Sequence, residues 1–269
     1  MTATDLPQVE QKRGPSKGGI GGVLVAIGAL LLKFAKFLLI PLKLLKFAKF
    51  GTTFISMAIT IAIYASIWKW QFAVGVVALI FIHEMGHAGA MKIEGLRAGA
   101  PVFIPFLGAA IAMKDQPRDV LTEAKVAIAG PLVGACAAAV CLIPWRMTGN
   151  GAWLGLAQVG FFLNLFNLLP VSPLDGGRTV GAISRKLWYV GFGLLVVGIL
   201  VFHSLFLILV VLMALPQLRQ NKARPPGYFD VPADARAFIA FLYFGLAVGL
   251  GIALMQTTER LAAITPGRF

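Results

Sequence analysis

From Phe72 to Ile82 the chain reads FAVGVVALIFI, and it continues without a break into His83-Glu84-Met85-Gly86-His87. A carboxylate near the middle of a membrane helix costs about 2.5–3.5 kcal/mol on insertion scales, so something must offset it here. Comparable apolar runs occupy 52–68, 122–145, 152–170, 188–216 and 233–255. The chain is 58% hydrophobic and only 13% charged, with a mean hydropathy of +0.84. Backbone polar groups in a bilayer need internal partners, so such runs fold as helices. The alternating ten-residue strands of a membrane barrel are absent. The expected fold is an all-α polytopic membrane protein. It would have about six to seven transmembrane helices and a short re-entrant, β-like loop.

Net charge is +13. In a membrane protein that excess belongs to cytoplasmic loops and anionic lipid, and no nucleic-acid partner is expected. Cys136 and Cys141 sit five apart in an apolar run and read as small buried hydrophobes.

Composition divides the chain into five parts. Residues 1–19 are polar and read as a disordered cytoplasmic tail with no cleavable signal. Residues 20–50 carry LLKFAKF twice, at 31–37 and 44–50, and Pro41 splits them. Lys33, Lys36, Lys43, Lys46 and Lys49 share roughly half of a helix circumference at about 100° per residue, which predicts two basic amphipathic helices lying on anionic lipid. Residues 51–216 hold the membrane core, 217–232 a basic cytoplasmic loop, and 233–269 a last transmembrane helix and tail. Within the core, GAPVFIPFLGAAIAM (99–113) is too broken for a helix and too apolar for open water. It fits a re-entrant loop or short hairpin buried in protein. Basic residues in 92–118, 178–186 and 217–227 place those segments on one side, so 188–216 should turn back near Phe202–Ser204. The expected protein is a multi-pass protein of the cell membrane. Its N-terminus is expected in the cytoplasm, with His83, His87 and Asp175 toward the cytoplasmic side.

HEMGH matches H-E-x-x-H. On a helix His83 and His87 stand one turn apart on one face, so both can reach one zinc. Glu84, rotated about 100° away, can handle a proton beside the metal without ligating it. A catalytic zinc needs a third protein ligand, and several residues are open. His203 reads as a turn residue. Asp115, Asp119 and Glu123 read as solvated charges or helix starters. Asp230 and Asp234 precede the last span, and Glu94 has Lys92 and Arg97 nearby. Asp175 differs in lying within NLLPVSPLDGG (167–177), directly after a span, where two prolines prevent a regular helix.

HEMGH followed by N-x-x-P-x-x-P-L-D-G-G resembles the site-2 protease family of intramembrane zinc metalloproteases, over roughly 52–216. The apolar loop after the zinc helix and Ala129-Gly130-Pro131 also match. The form is compact, with no PDZ-like insert between the motifs and no CBS pair after the core. The resemblance implies one zinc per chain held by His83, His87 and Asp175, with Glu84 as general base and then acid. It implies that Asn167 helps hold substrate backbone or the oxyanion, and that the partner is a transmembrane protein cut in or near its membrane segment. An unwound substrate could pair with a strand edge of 99–113. Two rival readings remain: a catalytically silent zinc-binding scaffold, and a metal transporter using the same His and Asp residues.

Overall fold

The structure, a computed structural model, describes residues 51–215 and 224–264. The LLKFAKF copies, the five lysines Lys33, Lys36, Lys43, Lys46 and Lys49, the tail 1–19 and residues 216–223 lie outside the described residues. Helix α1 spans Gly51–Ala65 and α2 Trp70–Ile93. Strands β1 (Ala98–Ile104) and β2 (Gly108–Met113) follow, then α3 (Val120–Val140), α4 (Leu142–Thr148) and α5 (Gly151–Asn167). Next come α6 (Asp175–Val180), α7 (Leu187–Phe202), α8 (Leu205–Ala214) and α9 (Ala233–Ile264).

Three stretches among the described residues are long and apolar enough to cross a membrane: Trp70–Ile93, Val120–Thr148 and Ala233–Ile264. The helices α1, α7 and α8 are shorter and also apolar, and the chain is an integral membrane protein. The expected turn inside 188–216 is present. His203 caps α7 in a left-handed conformation, with φ of 49°, and the Ser204 side chain accepts from Leu207 N to start α8. Leu195 of α7 packs with Val210 and Ala214 of α8. The two helices therefore form a hairpin whose ends return to one side.

Local chemistry sets the helix ends. The Asp119 side chain accepts from the Thr122 amide at 2.7 Å and opens α3. Gly149 adopts φ of 68° after α4, and Asn150 then caps α5 through Ala152 N. Helices α2, α3 and α5 share one apolar cluster with α9, including Val77, Ile128, Phe161 and Leu250. Small residues let them approach closely, as lipid-embedded helices require. A Cβ on Gly86 of α2 would meet Ala129 O of α3 at 2.5 Å, and one on Gly160 of α5 would meet Ala138 Cβ at 2.7 Å.

The apolar loop is an antiparallel hairpin, with Phe103 opposite Ala109 and Ile104 opposite Gly108. Its first strand is bound to α1. Thr53 Oγ1 donates to Pro101 O at 2.7 Å, Phe103 N donates to Ser56 Oγ at 3.1 Å, and Phe106 N donates to Tyr64 OH at 3.0 Å. Because the Phe103 amide is spent on Ser56, Phe103 and Ala109 form a non-hydrogen-bonded pair. The backbone groups of Ala109, and of Ile111 two residues on, face away from β1. The outer edge of β1 is thus covered by α1 hydroxyls, and β2 carries the second edge.

Several acidic residues have partners other than those expected. Glu94 pairs with Arg118 and Lys125, each at 3.0 Å, rather than with Lys92 or Arg97. Arg97 binds Asp115 across the base of the hairpin, with Nε 3.0 Å from Oδ1. That guanidinium holds the Asp115 carboxyl down at about 2. Glu123 is no solvated charge. It accepts from Arg178 Nε of α6 at 3.2 Å and from Tyr228 OH at 2.6 Å.

Candidate metal centre

Helix α2 buries three ionisable residues along its second half. His83, Glu84 and His87 are exposed by only 7%, 5% and 6%. Asp175, the first residue of α6, is exposed by 8%. Its Oδ2 lies 3.1 Å from His83 Nε2 and 3.2 Å from His87 Nε2, and the two imidazole Nε2 atoms are 3.1 Å apart. The two helical histidines and the post-span aspartate therefore meet at one point, although 92 positions separate His83 from Asp175.

The outer nitrogen of each ring is tied down. His83 Nδ1 lies 2.8 Å from Asn164 Oδ1, and His87 Nδ1 lies 2.8 Å from Val126 O. Both partners are acceptors, so each Nδ1 carries the proton and each neutral ring turns a bare Nε2 lone pair inward. Three acceptor atoms then face one another at van der Waals distance or closer, a repulsive arrangement unless a cation lies among them. Donors about 2.0–2.1 Å from a tetrahedral zinc stand about 3.3 Å apart, close to the triangle observed. The donor set and its spacing fit zinc.

Glu84 stands beside this triangle. Its carboxylate, His83 and His87 offer atoms within 4.8 Å of one another. The Ile111 amide on the outer edge of β2 faces the Glu84 carboxylate. The hairpin and the metal centre are thus in direct contact.

The segment before α6 presses tightly on the first turn of that helix. A Cβ on Gly176 would fall inside the Leu168 carbonyl, and one on Gly177 inside the Val171–Ser172 peptide. Only glycine permits that approach. Trp188 Nε1 donates to Gly177 O at 2.8 Å, and Tyr243 OH of α9 donates to Leu168 O at 2.5 Å. Arg178 is held by Glu123, which also receives the Tyr228 phenol. Burial and that bond to Glu123 keep the phenol protonated well above its ordinary range.

Asn167 is half-buried, and its side chain donates to Leu163 O at 3.1 Å, one turn back. The asparagine that touches a histidine is Asn164, at 3% exposure. A polar residue inside the apolar FFLNLFN is the signal that could have found it. His203 sits exposed in the α7–α8 turn.

Residues 71–149 match the family model of peptidase family M50. A zinc metalloprotease of Methanocaldococcus jannaschii is 33% identical over 113 residues, covering 40% of this chain and 32% of that protein. Rip3 of Mycobacterium tuberculosis is 30% identical over 136 residues, covering 46% of this chain and 34% of that protein. The site-2 protease structure from Methanocaldococcus jannaschii is 23% identical, covers 72% of this chain and 85% of that one, and superposes with a TM-score of 0.39. The matches span about a third of the length of these two curated relatives. The stretch similar to peptidase family M50 carries the His-Glu-His cluster and the helix packed against it.

Metal removal should be visible in stability. Zinc present at 100 times its dissociation constant adds about 2.7 kcal/mol to a folded state that alone binds it. Protein in detergent is expected to unfold at a higher temperature with zinc than with a chelator. Identical unfolding temperatures would show that these donors hold no metal.

Proposed function

We propose that the chain is an intramembrane endopeptidase that holds one zinc per chain through His83, His87 and Asp175 and cuts membrane proteins in or near their transmembrane segments. One observation carries the reading. Three buried acceptor atoms from two distant segments converge to 3.1–3.2 Å, with a carboxylate beside them that is not part of the triangle.

Bound there, zinc supplies a Lewis acid that makes water a nucleophile near neutral pH. The chain does the rest. Glu84 takes the proton of the attacking water and returns it to the leaving amine, and the Ile111 amide orients its carboxylate. Asn167 is assigned to the substrate backbone or the developing oxyanion. The functional core is 51–216. Lys33, Lys36, Lys43, Lys46 and Lys49 are assigned to anionic lipid. The site opens toward the cytoplasmic side, where the N-terminus also lies.

The free edge of β2 lies beside Glu84, so an unwound substrate is read as a third strand there. Ala109→Pro removes an outward amide without touching the metal ligands. It is expected to raise KM for a transmembrane substrate about tenfold, the equivalent of one lost hydrogen bond of about 1.4 kcal/mol. Ile104→Pro, on the strand already covered by α1, is a poorer probe. An unchanged KM in Ala109→Pro would dispose of strand addition.

The protease reading is tested in cells carrying the intact chain or Glu84→Ala at matched expression. New protein termini within transmembrane segments are expected only with the intact chain. A phenotype that survives Glu84→Ala would instead mark a zinc-binding scaffold, and metal flux in vesicles a transporter.

A further inference from the structure

We propose that Asn164 is a positioning residue that fixes the tautomer of His83 and aims its Nε2 at the metal, and that Gly134 exists to make room for it. The proposal rests on the zinc reading above.

Asn164 has one orientation consistent with its neighbours. Its Nδ2 donates to Gly160 O at 2.7 Å, one turn back on α5, so its Oδ1 must be the atom presented to His83. A side-chain amide oxygen accepts and cannot donate. His83 Nδ1 must therefore carry the ring proton, and the lone pair is left on Nε2. Without that acceptor, the proton could settle on Nε2 and leave the lone pair pointing away from Asp175. His87 receives the same service from Val126 O, a backbone group that mutation does not remove. His83 alone depends on a side chain.

The neighbouring helix is shaped for this. A Cβ on Gly134 of α3 would fall inside the Asn164 amide. That amide is packed between α3 and the helix it comes from, so it has nowhere to retreat. Alanine at 134 must push Oδ1 away from His83. Gly134 and Asn164 thus act as one device, placed on two helices, behind one ligand.

The test uses the full-length chain in detergent and measures zinc affinity by chelator competition, together with the visible absorption of the cobalt-substituted protein. Asn164→Leu, similar in size but with no acceptor, is expected to bind zinc about 10–100-fold more weakly, the usual effect of losing such a partner. Asn164→Asp, which keeps the acceptor, is expected to stay within about threefold of the wild type and to keep its cobalt spectrum. Gly134→Ala should weaken zinc binding as Asn164→Leu does, and the double variant should lose little more than either alone. Chelated samples of each are compared for helicity and unfolding temperature, and Asn164→Ala replaces the leucine variant if that one does not fold. Wild-type affinity in Asn164→Leu overturns the proposal. So does equal loss in Asn164→Asp and Asn164→Leu, which would mark a packing role. A wild-type chain that binds no zinc overturns the metal reading itself, and the positioning role with it.

Discussion

Glu84→Gln is expected to keep its zinc and lose its catalysis. Glutamine matches glutamate in shape and can still accept from the Ile111 amide that faces this position, but it cannot take a proton from water. General-base catalysis of this kind contributes about 10²–10⁴-fold. The turnover number of purified protein on a transmembrane substrate should fall by that factor, while chelator competition returns an unchanged zinc affinity. The zinc result matters as much as the rate. The acceptor triangle is drawn from His83, His87 and Asp175, so a variant at 84 that also lost its metal would make Glu84 a ligand rather than a base. Wild-type turnover would remove it from the chemistry altogether.

Gly130→Ala should empty the site without altering a ligand. A Cβ there would fall inside the His87 imidazole. The ring cannot step aside, because its Nδ1 is tied to Val126 O at 2.8 Å, one turn earlier on the same helix. The wall and the tether both belong to α3, so moving that helix does not separate them. Zinc affinity is expected to fall about 100-fold, at the upper end of what disturbing a ligand's surroundings does. Gly89→Ala is the control. It lies two residues beyond His87, and nothing stands within 4 Å of its added Cβ. It should bind zinc normally and gain some helix stability from alanine. Equal affinity in Gly130→Ala would show that the cleft between α2 and α3 is looser than these distances require.

The part of the site that lies within one turn of helix could be read directly. His83 and His87 share a face because of their spacing, and no tertiary information is needed to see it. Asp175 stood out only as an aspartate in unwound backbone after a span; its role came from resemblance, because nothing local says which helix end approaches α2. Asn164 carried a signal, a polar residue within an apolar run, but Asn167 stood in the recognisable motif and drew the assignment. Glu123 lies in the first turn of α3, as one of its two readings had it, but its ion pair escaped notice for a related reason. Its partners Arg178 and Tyr228 lie 55 and 105 positions away, and a charge whose partners are that remote looks solvated.

The helices show the same division. Hydropathy located α2, because apolar length is a local property, and the basic residues on either side of 188–216 located the α7–α8 turn. Hydropathy ended the last apolar run at 255, whereas the helix α9 continues to Ile264. The residues Gln256–Arg260 are polar and remain helical, and hydropathy registers where lipid contact ends rather than where the backbone unwinds. The hairpin 98–113 was recognisable from its prolines and glycines, but which of its edges is free depends on Thr53 and Ser56 in a separate helix.

One contact redraws the boundary of the working unit. The Tyr243 hydroxyl of α9 holds the Leu168 carbonyl, at the start of the segment that delivers Asp175. The family match ends at residue 149, and the motifs lie between His83 and Gly177, so α9 looks like an appendage free to drift in sequence. A single phenol ties it to the ligand-bearing loop. On the metal reading proposed above, a tilt or sliding of that helix in a bilayer of different thickness would pull on the segment that leads to Asp175.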